Sequence, residues 1–185
     1  MPLNLPNILT FMRILMIPAL VVVFYTPGQW MPFLCAVIFG LAALTDWADG
    51  YLARKMDLTT PFGAFLDPVA DKVMVAAALV LMAEREASWA FTIPAMVIIS
   101  REIIISALRE WMAELGKRAN VAVSNIGKVK TTMQMIAIIV LLGAGSILEW
   151  LFVPVGYAAL YIAAALTLWS MVIYLAAAYK EVANT

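Results

Sequence analysis

Residues 46–71 read DWADGYLARKMDLTTPFGAFLDPVAD, and this stretch governs both the fold and the chemistry that the sequence predicts. It carries four aspartates in two close pairs, Asp46 with Asp49 and Asp67 with Asp71. Residues three or four positions apart lie on the same face of an α-helix. If both halves of the stretch are helical and antiparallel, the two acidic faces can therefore converge on one point between the helices.

The chain around this stretch is too apolar for a water-soluble domain of its size. Hydrophobic residues make up 65% of the 185 residues, and charged residues only 13%. Soluble chains carry about 45–50% apolar and about 25% charged residues. A soluble domain of this length cannot hide so much apolar surface from water. The composition predicts a single integral-membrane domain over residues 1–185.

Residue counts exclude several classes of function. The formal net charge is zero, so the chain lacks the basic surface that non-specific nucleic-acid binding requires. It has no histidine, which excludes an imidazole base, a Ser-His arrangement and a His-ligated zinc. The single cysteine, Cys35, excludes a disulfide framework and a Cys metal site. Acid, base and metal-binding chemistry must therefore depend on carboxylates.

Six apolar segments are long enough to cross a bilayer, for which a helix needs about 20 residues. They span residues 8–25, 31–53, 62–83, 87–112, 129–148 and 153–179. Barrel strands would alternate in polarity and these segments do not, so we expect an all-α membrane protein with six transmembrane helices. Most basic residues lie on the side that both termini share, which predicts that this side faces the cytoplasm.

The four aspartates lie inside the second and third segments at matching depths. A helix rises about 1.5 Å per residue, which places Asp46 and Asp71 each roughly 12–13 Å below the cytoplasmic boundary. A charge at such depth costs about 2.5–3.5 kcal/mol, and clustered carboxylates also repel one another. Divalent cations remove that repulsion, and four acids suit two ions of Mg²⁺ or Mn²⁺, with Ca²⁺ as an alternative. Internal salt bridges to Arg54, Lys72 or Arg101 are the competing interpretation.

The same stretch resembles the signature of the CDP-alcohol phosphotransferase family, D-x2-D-G-x2-A-R-x8-G-x3-D-x3-D, and fills every fixed position. The resemblance implies that the four aspartates hold two metal ions and that Asp71 is the general base. It also implies contacts to the nucleotide or its diphosphate by three small residues and one arginine. These residues are Gly50, Ala53, Gly63 and Arg54. Close helix packing is the alternative for the two glycines.

Three segments outside the signature are similar to the bacterial phosphatidylglycerophosphate synthases of that family: residues 4–13, 101–110 and 126–131. This likeness implies CDP-diacylglycerol as the donor and glycerol 3-phosphate as the acceptor. Arginine and lysine bind phosphate well. The candidates for binding the acceptor phosphate are Arg101, Arg109, Arg118, Lys128 and Lys130. Ordinary cytoplasmic positive charge or contact with anionic lipid is the alternative for them.

The expected reaction is phosphatidyl transfer that yields phosphatidylglycerol phosphate and CMP. The resemblance further implies a homodimer in the bacterial inner membrane, and the bias of basic residues predicts that the active site faces the cytoplasm. Serine, inositol or choline as the acceptor is one alternative, because the signature recognises only the shared CDP part. A divalent-cation transporter is another, since intramembrane carboxylates also mark ion paths. All four acids lie on one side of the bilayer midplane, which disfavours transport.

Overall fold

A computed structural model describes residues 5–56, 61–115, 125–144 and 149–183, and every regular element in those ranges is an α-helix. In chain order the helices are α1 (Leu5–Tyr25), α2 (Met31–Met56), α3 (Pro61–Glu86), α4 (Trp89–Glu114), α5 (Asn125–Gly143) and α6 (Glu149–Ala183). The all-α prediction is confirmed, and each predicted segment overlaps one helix.

Five of the six helices start one to four residues away from the predicted segments, and two of these differences have a local physical reason. The last apolar segment is predicted to begin at residue 153, whereas α6 begins at Glu149 and continues through Pro154. Lipid favours the continuous helix, because neighbouring groups can compensate the one backbone hydrogen bond that proline removes. At α4, Ala87 lies outside the helix with a φ of 43°, and the Ser88 hydroxyl accepts a hydrogen bond from the Ala90 amide at 3.3 Å. This serine cap fixes the start of α4.

Contacts near the two ends of the bundle show that the first three helices run in alternating directions. Tyr25 is the last residue of α1. At this end of the bundle its hydroxyl donates a hydrogen bond to Glu84 near the end of α3. At the other end Arg13 of α1 contacts Asp46 in the second half of α2. The helices α1 and α3 are therefore parallel, α2 is antiparallel to both, and α1 packs against each of them. This arrangement brings the acidic halves of α2 and α3 to the same end as the start of α1.

A single apolar core contains residues from all six helices, while large apolar side chains also cover the outside. Exposed examples on three different helices are Leu15, Val80 and Trp150. Exposed apolar surface on this scale marks contact with lipid rather than water. Buried members of the core, one from each helix, are Leu20, Phe39, Leu79, Ile98, Ile138 and Leu160.

Three of the described helices are long and apolar enough to cross a membrane: Ile8–Tyr25, Trp89–Glu114 and Glu149–Lys180. Shorter apolar stretches, Met31–Asp46 and Val129–Gly143, belong to α2 and α5. The chain is thus a multi-pass membrane protein. Charged residues interrupt the apolar character of α2 and α3, so six crossings remain a prediction.

Candidate active site

The acids of α2 and α3 lie close together beside the first half of α1. Arg13 Nη1 is 3.0 Å from Asp46 Oδ1, and the Thr10 hydroxyl donates a hydrogen bond to Asp67 Oδ1. Arg13 and Asp71 line the same small cavity. Asp46 is also close enough to Asp67 and Asp71 for their negative charges to interact. The structure therefore places three of the four acids that the spacing predicts to converge at one end of the bundle, beside Thr10 and Arg13.

The remaining signature residues are described less completely. The backbone of Asp49, Gly50, Ala53 and Arg54 continues α2, but their side chains lie outside the part of the chain that the structure describes. Gly63 is buried in the first turn of α3. A residue without a side chain lets another group approach the backbone closely. That property suits the predicted nucleotide contact, which remains a prediction for all of these residues.

The residue types at this site fit a hard divalent cation. Asp46, Asp67 and Asp71 present carboxylate oxygens, the ligands that Mg²⁺ and Mn²⁺ prefer. Within the described residues, however, no group of three acidic, cysteine or histidine side chains is spaced to hold an ion. The Asp49 side chain lies outside that set, and one oxygen of Asp46 contacts Arg13. Metal binding stays a prediction that the chemistry of the donors supports.

Salt bridging occurs at the site, but with a partner other than those that the sequence suggests. Asp46 pairs with Arg13 on α1. Lys72 instead donates a hydrogen bond to a serine hydroxyl on α4, and Arg101 pairs with its neighbouring glutamate. The side chain of Arg54 is outside the described residues.

Two of the predicted phosphate-binding residues meet at Glu102. Arg101 Nη1 and Lys130 Nζ lie 3.0 Å and 2.6 Å from the same atom, Glu102 Oε1. Arg101 also donates to the Ser170 hydroxyl of α6 at 3.1 Å. Both cations are buried, at 9% and 4% exposed. Glu102 therefore compensates charges that would be costly to bury alone, and it links α4 to α5.

A third predicted phosphate-binding residue, Arg109, is exposed and packs on Tyr174 of α6. Its guanidinium carbon lies 5.1 Å from the centre of the tyrosine ring, and Nη2 donates to the hydroxyl at 2.9 Å. Arg101 approaches the same ring at 5.7 Å, so Tyr174 attracts both cations. Arg118 lies outside the described residues, and Lys128 belongs to α5 without a described side chain.

An apolar groove of about 390 Å³ lies between α3 and α4 beside these charges. Valine and isoleucine side chains form much of its wall, while Lys72, Glu102 and Ser106 supply its polar part. Such a groove suits a molecule that combines an apolar body with a charged head.

Sequence reasoning did not assign Thr10, Arg13 or Tyr174 to the site. Thr10 and Arg13 are polar residues three positions apart within an apolar segment, and that spacing could have placed them on one helix face. Tyr174 carries no comparable signal, because a tyrosine near a helix end is typical of a membrane-interface anchor.

A family model for CDP-alcohol phosphatidyltransferases matches residues 3–178 of the chain. The chain therefore belongs to the CDP-alcohol phosphatidyltransferase family. It is similar to relatives named CDP-diacylglycerol–glycerol-3-phosphate 3-phosphatidyltransferase. Identity is 61% over 181 residues with those of Sodalis glossinidius and Pectobacterium atrosepticum, and 58% with that of Escherichia coli. In each case the match covers 98% of both chains.

Proposed function

We propose that this enzyme transfers the phosphatidyl group of CDP-diacylglycerol to glycerol 3-phosphate, releasing CMP and leaving phosphatidylglycerol phosphate in the membrane. The observation that carries the proposal is 61% identity over 98% of both chains with relatives named for these substrates. The separation of an acidic site on α2 and α3 from basic residues on α4 and α5 supports it. One reactant needs a site for its diphosphate, and the other needs a site for its phosphate.

In the proposed reaction Asp71 accepts the proton of the acceptor hydroxyl while that oxygen attacks the lipid-side phosphorus. The bond from that phosphorus to the CMP oxygen breaks, and CMP leaves. Two Mg²⁺ or Mn²⁺ ions held by Asp46, Asp49, Asp67 and Asp71 would supply charge neutralisation at the diphosphate. The nucleotide would lie against Gly50, Ala53, Arg54 and Gly63.

The acceptor phosphate is proposed to bind at Arg109, where the guanidinium is exposed yet oriented by Tyr174. Arg101 and Lys130 contribute positive potential from their buried positions beside Glu102. Arg118 and Lys128 are proposed to complete the basic cluster. The groove between α3 and α4 suits the acyl part of the donor, because its walls are apolar.

We further propose that the chain forms one catalytic domain with six crossings of the bacterial inner membrane, as a homodimer. Both termini and the acidic site face the cytoplasm, because the basic residues lie mainly on that side. The acids of α2 and α3 and the basic residues Arg101, Arg109 and Lys130 then share the cytoplasmic half of the bundle.

The test is CMP release from CDP-diacylglycerol by the detergent-purified protein, with glycerol 3-phosphate, serine, inositol or no acceptor. We expect release that requires both Mg²⁺ and glycerol 3-phosphate. Release with serine or inositol alone would keep the family and replace the acceptor. Uptake of Mn²⁺ into proteoliposomes that contain no CDP-lipid, without CMP release in any mixture, would favour a transporter instead.

A further inference from the structure

Helix α1 places two buried polar side chains against the acidic site, although it lies outside the aspartate signature. Thr10 and Arg13 are each only 1% exposed. They are three positions apart and therefore share a helix face. Most other residues of α1 are apolar, so this polar face stands apart from the rest of the helix.

Each of the two side chains holds a different acid on a different helix. The Thr10 hydroxyl donates to Asp67 Oδ1 on α3. Arg13 Nη1 lies 3.0 Å from Asp46 Oδ1 on α2. Helix α1 thus connects the two halves of the acidic site through Asp46 Oδ1 and Asp67 Oδ1.

A charged side chain inside a membrane helix is energetically costly, and where one occurs it usually marks a functional site. The position of Arg13 suggests such a function, because Asp46 repels the negative charges of Asp67 and Asp71. Arg13 is attracted to Asp46 and to Asp71 and so offsets part of that repulsion. The acids can then stay close together before any cation arrives.

We propose that Thr10 and Arg13 are positioning residues that orient Asp46 and Asp67 for divalent cations. The inference rests on the proposed function, because it assumes that these acids are the ligands. Each carboxylate has two oxygens, so one can accept from α1 while the other faces a cation. Groups that orient metal ligands in this way typically change metal affinity 10- to 100-fold when removed.

The competing explanation is that both contacts only join α1 to its neighbours. In that case removal would lower stability without changing the cation concentration at which stabilisation occurs. A positioning role changes that concentration, and the two can be separated because a ligand stabilises the native state according to its own dissociation constant.

The experiment measures thermal unfolding of the detergent-purified protein across a titration of Mg²⁺ and, separately, Mn²⁺. The variants are Thr10→Val, Thr10→Ser, Arg13→Gln and Arg13→Lys. Thr92→Val is the matched control, because the Thr92 hydroxyl donates to the Ser88 carbonyl within its own helix region, away from the acids. Thr10→Ser keeps the donor, and Arg13→Lys keeps the charge.

We expect the wild type and Thr92→Val to be stabilised at the same cation concentration. Thr10→Val and Arg13→Gln should need about 10- to 100-fold more cation, while Thr10→Ser should behave as the wild type and Arg13→Lys should be intermediate. Unchanged midpoints in Thr10→Val and Arg13→Gln would overturn the inference, and so would tighter binding in Arg13→Gln. If Arg13→Gln does not fold, the comparison of Thr10→Val with Thr10→Ser decides alone. No stabilisation of the wild type by either cation would instead contradict the proposed metal site itself.

Discussion

Buried cations in the described part of the chain are stabilised by specific acids rather than by solvent. Arg13 contacts Asp46, and Lys130 contacts Glu102, each at 3.0 Å or less. Removing one partner of a buried pair leaves an uncompensated charge, which is strongly destabilising. An exposed cation with no such acid is therefore the better candidate for binding a mobile substrate. Arg109 fits that description, since its contact within the described residues is with the ring and hydroxyl of Tyr174.

Replacing Arg109 by Gln should raise the KM for glycerol 3-phosphate about 10- to 100-fold and leave the KM for CDP-diacylglycerol within about twofold. The estimate follows because a hydrogen bond to a charged group contributes about 1.5–3 kcal/mol, and 1.4 kcal/mol is a factor of ten. Steady-state kinetics with each substrate varied in turn provides the measurement.

Lys180→Gln is the matched control for that experiment, because Lys180 is an exposed basic residue near the end of α6. Its removal should change neither KM. Equal increases in both KM values for Arg109→Gln would show that the arginine does not serve the acceptor specifically.

At the scale of elements, α5 and α6 make a close approach at Gly156. A Cβ built there would lie 2.5 Å from both Cγ and Cδ2 of Leu141, which is 1% exposed. The branched carbon of a buried leucine cannot move aside without disturbing its other neighbours. Gly40 of α2 differs, since a Cβ there would lie 3.9 Å from Ile139, an ordinary contact distance.

Gly156→Ala should therefore destabilise the protein by about 1–3 kcal/mol, the usual cost of overpacking a filled core. Gly40→Ala should be neutral or slightly stabilising, because alanine favours a helix by up to about 1 kcal/mol over glycine. Thermal unfolding in one detergent compares the two variants. Similar unfolding temperatures for both variants would contradict the packing at Gly156.

The sequence was sufficient to predict the helices and the position of Asp46, Asp67 and Asp71 at one end of the bundle, because both depend on local rules. Apolar length determines where helices form in lipid, and spacing determines which acids share a face. The contacts of Thr10 and Arg13 could not be derived in this way, because they require knowing that α1 lies beside α2 and α3. Packing between helices depends on the shapes of many side chains at once.

At the scale of the whole molecule, the proposed topology places both termini and the acidic site on the cytoplasmic side. Gln29 is exposed between α1 and α2, and Lys180 is exposed near the end of α6, at opposite ends of the bundle. Cys35 is buried, so the native chain should react poorly with water-soluble thiol reagents.

In intact cells a membrane-impermeant thiol reagent should label Gln29→Cys but not Lys180→Cys. After permeabilisation both variants should be labelled, and the native chain serves as the unlabelled control. Labelling of Lys180→Cys in intact cells would reverse the proposed orientation.

The most direct test of the central claim follows labelled glycerol 3-phosphate into lipid in the presence of CDP-diacylglycerol and Mg²⁺. It compares the wild type with Asp71→Asn and with Glu114→Gln, in which the altered acid is exposed at the end of α4. We predict lipid labelling by the wild type and Glu114→Gln, with one CMP released for each lipid formed. Asp71→Asn should lose about 10²–10⁴-fold in rate, the usual contribution of a general base. Wild-type rates in folded Asp71→Asn would contradict the proposed chemistry at this site.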